Sequence, residues 1–263
     1  MTLYEITEQK LYYLKYSKNT IKTYLGFINE FENSIGKHYS RLNSNDIQKY
    51  LGEYKFTSVS QQNQVISTLK FAWEKGLGKK YLKIDFTRPR KEKKIPKVIN
   101  PELLASKIKS IGNLKHRAIL SLGLSCGLRI SEVINLKWVH LDRGRNILTV
   151  YNGKGRKDRI TKLNKDMINL LTDYWKEFKS EEYVFNGQNK PRYSQSSIQK
   201  LVKNYIHPKA SFHLLRHCYG TYAIDEGTPI KAVSVSMGHT SVKTTEIYYH
   251  VSSNHLNQIK TAI

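Results

Sequence analysis

Apolar residues recur along this chain at helical spacing almost from its first position. Residues 3–16, LYEITEQKLYYLKY, predict a first helix, and Ser17 stands where the N-cap of a second helix belongs, running to about residue 34. In that second segment Ile21, Tyr24, Leu25, Ile28 and Phe31 fall on one stripe, and Gly36 stops it. Ser44 is the expected cap of a third helix over 44–54. A fourth over 58–75 turns Val65, Ile66, Leu69 and Trp73 inward and ends at Gly76. Four short helices of this kind pack into a compact bundle.

The pattern then breaks. The stretch TRPRKEKKIPKVINP sets Pro89, Pro96 and Pro101 among a run of Lys and Arg, which disfavours both helix and burial. It reads as a basic linker over 88–100 between a domain at 1–87 and another at 101–263. Beyond it, helices are predicted over 101–111, 115–125, 131–136, 166–179 and 196–205. Residues 147–151 and 159–163 are strand-like and joined by GKGRKDR, which predicts a hairpin. The expected fold is mainly α: a four-helix amino-terminal domain and an α+β domain with a small antiparallel sheet.

Charge narrows the partners. Lys and Arg number 44 against 21 Asp and Glu, a formal net charge of +23, which favours a polyanion, DNA or RNA first. Lys18, Lys22, Lys70 and Lys75 lie on the bundle's basic rim, and Arg88 and Arg90 lie in the linker, where an extended basic tether would let two halves close on a duplex. No apolar run approaches the roughly 18 residues a membrane helix needs, and MTLYEITEQK lacks the order of a signal peptide. A cytoplasmic protein without membrane contact is expected. Cys126 and Cys218, in apolar contexts and without zinc spacing, read as reduced core thiols.

Few residues stand out as chemistry. His213 and Arg216 are three apart on a predicted helix and so share a face. Arg129 sits at a helix junction after Gly127, three residues before Glu132, where a salt bridge and a functional arginine are both possible readings. Lys154 lies between Gly153 and Gly155 at the hairpin tip, with Lys157 and Arg159 close by; alone, these suggest generic phosphate contact. His213 and His217 have helical metal-ligand spacing but no convincing third ligand, so no metal and no cofactor are expected.

Together these segments resemble the tyrosine recombinases, the family of phage integrases and Xer-type resolvases. His213-Leu214-Leu215-Arg216, Gly238-His239 and Ile247-Tyr248 match its second signature box, Gly127-Leu128-Arg129-Ile130-Ser131-Glu132 matches its first, and SKNTIKTYLGFINEF is similar to the opening of its core-binding, SAM-like domain. The resemblance starts near residue 10, so no arm-binding domain is expected ahead of it. It implies that Tyr248 is the nucleophile, with the adjacent Tyr249 as the alternative, that Arg129 is the first catalytic arginine with Glu132 orienting it, and that Lys154, in its Gly-Lys-Gly context, is the catalytic lysine, with Lys157 as the alternative. Arg129 and Arg216 would hold the non-bridging phosphate oxygens and His239 would hydrogen-bond the phosphate. His213 is the candidate base for a phenol whose ordinary pKa is about 10.

The implied activity is site-specific recombination of double-stranded DNA through a 3′-phosphotyrosine, by a chain monomeric in solution and tetrameric on two sites. Type IB topoisomerase-like nicking and resealing, or a catalytically inactive DNA-binding regulator, are the competing expectations.

Overall fold

The computed structural model describes residues 1–80, 88, 99–151, 158–239 and 241–249. Two compact units divide the chain, Met1–Lys93 and Lys94–Ile263.

In the first unit, Thr2 caps helix α1 (Leu3–Tyr13) with a capping box to Glu5. The backbone N–H groups of Leu3 and Tyr4 donate to the carboxylate of Glu32, at 2.7 and 3.0 Å, which ties the start of α1 to helix α2 (Lys18–Ile35). Ser17 caps α2 as the sequence predicts, and Gly36 ends it in the left-handed region, at φ 60°. Helix α3 (Ser44–Glu53) is capped by Asn43 rather than Ser44, because the Asn43 side chain accepts from the N–H groups of both Asn45 and Asp46. Helix α4 (Val59–Phe71) stops earlier than predicted and passes into a π-helical turn, Ala72–Gly76. Leu3, Ile28, Phe31, Ile47, Ile66 and Leu69 meet in the core of this bundle.

In the second unit Asn100 caps helix α5 (Pro101–Lys109), and helix α6 (Leu114–Ser125) follows as the central rod. Ala118, Ile119, Leu120 and Leu122 of α6 are all fully buried, so the helix is apolar round most of its circumference and needs neighbours on several sides. Helix α7 (Ile130–Ile134) is only five residues long. The predicted hairpin strands are present as β2 (Ile147–Val150) and β3 (Arg159–Lys162), paired antiparallel with Val150 opposite Arg159. A further two-residue strand that the sequence reading missed, β1 (Leu141–Asp142), pairs with β2 to give the sheet order β1-β2-β3. Two residues are too few to carry a period of their own.

Helix α8 (Lys165–Phe178) packs on α6, and helix α9 (Gln195–Tyr205) closes another side. Helix α10 (Phe212–Asp225) lies against α6 with Phe212, Leu215 and Cys218 in the core, and Gly227 ends it at φ 79°. Helix α11 (Ile230–Met237) and the short helix α12 (Glu246–Tyr249) complete the described unit, packed on α10. Cys126 and Cys218 are buried free thiols. Among the described residues no helix is long and apolar enough to cross a membrane.

Candidate active site

Arg129 occupies the N-cap position of α7, set there by Gly127, whose φ of 60° turns the chain out of α6. Its guanidinium donates from Nη1 to Glu132 Oε1 at 2.8 Å and from Nη2 to the carbonyl of Gly238 at 2.9 Å. Glu132 also accepts from the Arg129 backbone N–H at 2.6 Å. The salt bridge weighed from the sequence is therefore present, and the carboxylate fixes the direction of the arginine.

Arg159 differs from its expectation. The sequence reading grouped it with DNA-facing residues, yet its side chain is 5% exposed and makes a forked pair with Glu132, Nη1 to Oε1 at 2.7 Å and Nη2 to Oε2 at 2.8 Å. Its Nε donates to the carbonyl of Ser236 at 2.7 Å. The reason lies in the strand period. On β3, Arg159 and Thr161 point inward while Ile160 and Lys162 point out, so the polar residues hold the inner face because a carboxylate waits there. Among the described residues Glu132 accepts four hydrogen bonds, two from Arg129 and two from Arg159. Burial alone would raise its pKa, but Arg159 and then Arg129 bring it down to about 2.

Arg216, on α10, is the largest fully buried side chain described in the chain. Nη1 donates to the carbonyl of Gly127 and Nη2 to that of Met237, while Nε is a buried donor with no partner among the described residues. Burial, and next the like charge of Arg129, lower its pKa to about 10, so it stays charged at neutral pH. The two turns that bracket the site, at Gly127 and at Met237-Gly238, thus present carbonyls to the arginines and fix their positions.

Tyr248 closes the site from α12. Its ring lies on Gly220 of α10: a Cβ at residue 220 would stand 2.8 Å from the ring's Cε2. Gly220→Ala is expected to push the ring outward, costing about 1–3 kcal/mol in stability. Urea unfolding measures that cost, and an unchanged midpoint would show that the ring has room. The phenol oxygen lies 3.0 Å from Nδ1 of His217. The His239 ring is nearly parallel to that of Tyr248 with centroids 6.3 Å apart, and its Nδ1 is engaged by Thr245 Oγ1 at 2.7 Å. Burial raises the phenol pKa to about 12 against the pull of Arg216 and Arg129. Burial, then Arg216 and Arg129, push His239 down to about 4.

The residue beside the phenol oxygen is therefore His217, not the predicted base His213. His213 is exposed, one helical turn earlier, its ring edge-on to that of His217 with centroids 4.5 Å apart. Sequence reasoning met His217 only as half of a doubtful metal pair, although its spacing put it on the same helix face. Among the described residues no three His, Cys, Asp or Glu side chains group to hold a metal.

The structure thus brings Arg129, Glu132, Arg216, His239 and Tyr248 to one place, with His213 at its edge. Lys154 and Lys157, and Arg90 in the linker, lie outside the described residues. Lys18, Lys22, Lys75 and Arg88 are exposed on the first unit, Lys70 is half-buried, and Arg88 also donates to Ser67 Oγ at 3.3 Å.

Comparison with known proteins adds to this geometry. Residues 97–255 match the model described as the phage integrase family, and residues 3–83 match the phage integrase N-terminal SAM-like domain. The chain is 31% identical over 257 residues to a tyrosine recombinase XerA of Pyrococcus horikoshii, covering 92% of this chain and 86% of that one. It is 28% identical over 271 residues to a tyrosine recombinase XerD of Staphylococcus aureus, covering 92% and 91%. Among solved structures, a crystal structure of XerA recombinase aligns over 97% of this chain and 95% of that one, at 26% identity and a TM-score of 0.55. A XerH recombinase bound to palindromic difH substrate, a post-cleavage complex, shares the fold with a TM-score of 0.72 at 20% identity, over 90% of this chain and 78% of that one.

Proposed function

The chain belongs to the phage integrase family of tyrosine recombinases, and we propose that it cleaves one strand of a specific DNA site with Tyr248 and rejoins it to another. The observation that carries this reading is the convergence, on one buried site, of a phenol and two arginines that stand 119 and 32 positions before it in the chain.

Attack on a phosphodiester places growing negative charge on the non-bridging oxygens, which forked, permanently charged donors stabilise best. Arg129 and Arg216 are those donors. The Nε of Arg216, a buried donor without a partner among the described residues, suits an anionic oxygen. His239 adds a hydrogen bond to the phosphate from the far side of the phenol ring. Lys154, assigned from its Gly-Lys-Gly context alone, protonates the departing 5′ oxygen. The product is a 3′-phosphotyrosine with a free 5′-hydroxyl, an ester that a second DNA hydroxyl reopens without ATP.

The net charge of +23 and the exposed Lys18, Lys22, Lys75 and Arg88 suit contact with the phosphate backbone of a duplex. Relatives of the same fold are complexes with DNA, including the XerH recombinase on its difH substrate. We assign a homotetramer on two sites as the working assembly and a monomer as the free form.

The test is to trap the protein on a duplex nicked beside the scissile phosphate, digest the adduct and locate the nucleotide by mass spectrometry. It should sit on the peptide containing Tyr248. No adduct on any site recovered from the host DNA, or an adduct on another residue, refutes the assignment.

A further inference from the structure

The two arginines that would clamp the phosphate sit on backbone carbonyls, and what keeps those carbonyls at their spacing lies one layer further back. We propose that Tyr219 is a positioning residue for strand cleavage, joined through Ser236 and Thr161 into a hydroxyl chain that locks the end of α11 to the Cys126-Gly127 turn. This deepens the reading above and rests on it.

Three consecutive carbonyls at the end of α11 each accept from a different arginine. Ser236 accepts from Arg159 Nε at 2.7 Å, Met237 from Arg216 Nη2, and Gly238 from Arg129 Nη2 at 2.9 Å. The last carbonyls of a helix have no partner within it and carry the negative end of its dipole, so cations suit them. Arg216 also donates to the carbonyl of Gly127, in the turn after α6. Its guanidinium therefore bridges two segments, and its place depends on their separation.

Tyr219 sets that separation. It stands three residues after Arg216 on α10 and so leans to the same side of the helix. Its ring covers Gly127 so closely that a Cβ there would stand 2.5 Å from the ring's Cδ1. Its phenol oxygen lies 2.8 Å from Ser236 Oγ, which in turn lies 2.9 Å from Thr161 Oγ1. Thr161, buried on the inner face of β3, donates to the carbonyl of Cys126 at 3.2 Å. A carbonyl only accepts, and each hydroxyl has one proton to give, so the direction of the chain follows: Tyr219 donates to Ser236, Ser236 to Thr161, and Thr161 to Cys126.

With its ring on Gly127 and its oxygen on Ser236, Tyr219 is a spacer between the two segments whose carbonyls hold Arg216. Removing the phenol oxygen leaves the ring but frees Ser236, and the carbonyls beside it lose that tie to the turn. A small slip of the guanidinium then costs more in the transition state than in binding, because charge on the non-bridging oxygens grows only as the phosphorus is attacked.

Single-turnover cleavage of a nicked duplex at neutral pH, with protein in saturating excess, reads that effect. Tyr219→Phe and Ser236→Ala should each lower the cleavage rate constant about 10-fold, with duplex affinity within about threefold of wild type. Misfolded protein would lower the amplitude of the phase and leave its rate constant, so the two quantities separate positioning from lost fold. Both variants cut one chain, so the double variant should cleave within about threefold of the slower single variant. Urea midpoints of the same four proteins test the chain without any chemistry and should show the same non-additivity.

A rate constant for Tyr219→Phe within about threefold of wild type overturns the proposal. So does a loss confined to amplitude or affinity, or single effects that combine in full in the double variant, in rate or in midpoint. If wild type forms no adduct, the recombinase reading itself fails. A wild-type adduct with unchanged cleavage by Tyr219→Phe removes only the role of Tyr219.

Discussion

Tyr248→Phe should abolish the covalent protein–DNA adduct on a nicked substrate while leaving duplex affinity and fold intact. The substitution removes one oxygen. The ring that packs on Gly220 and beside His239 remains, so the pocket keeps its shape. What is lost in stability is one hydrogen bond to a half-buried histidine, about 1 kcal/mol at most. What is lost in chemistry is the proposed nucleophile, the phenol that bonds His217 within the electrostatic reach of both arginines. A gel-shift titration and a denaturing gel on the same samples make the comparison, and Tyr249→Phe, as a control, should form adducts like wild type. Adduct formation by Tyr248→Phe at the wild-type level would sink the assignment.

The other large effect concerns Glu132, which is the counter-ion of two arginines at once. With a side chain 6% exposed, it accepts four hydrogen bonds from Arg129 and Arg159. Glu132→Gln leaves two guanidinium groups close together without a balancing charge. Removing one partner of a buried pair costs about 3–5 kcal/mol, and the unfolding midpoint should drop accordingly. Cleavage should fall as well, because Arg129 loses the carboxylate that aims it. Arg159→Met is expected to be the milder change, since Glu132 keeps Arg129 and the backbone N–H.

The same residue sets an acid limb of stability. The folded-state pKa of Glu132, about 2, lies below the ordinary carboxylate value of 4.5. Its contribution is therefore fully present above about pH 4.5 and is lost as pH falls towards 2. Over that window the linkage is worth about 3 kcal/mol. Urea midpoints measured down the acid range should fall more steeply for wild type than for Glu132→Gln. Parallel curves would show that the pair contributes nothing net to folding.

How much of this was legible beforehand varies with the range of the interaction. The helices of the first unit were readable because Ser17, Gly36 and the Ile21-to-Phe31 stripe are local signals with local causes. Where two caps competed, at Asn43 and Ser44, side-chain reach decided in favour of the earlier one. The signature residues could be named from order and spacing, but not their contacts. Arg159 looked like one more basic residue in a basic hairpin, and nothing within β3 announces that Glu132, 27 positions earlier, lies under it. His217 was hidden for a similar reason: helical spacing put it beside His213, and only the docking of α12 on α10 showed which histidine meets the phenol.

The sequence by itself determined the helical bundle, the hairpin strands and the basic character, each of which follows from periodicity, capping or composition within a short stretch; the residues expected to carry chemistry were named by the family resemblance of the signature boxes. Only the tertiary structure decided that the carbonyls of Gly127, Met237 and Gly238 would seat two arginines, that Glu132 would be shared with Arg159, and that Tyr248 would face His217. Those contacts join residues tens of positions apart. A buried charge must find its partners wherever the packing of α6, α10 and α11 brings them, and no local rule of the chain encodes that meeting.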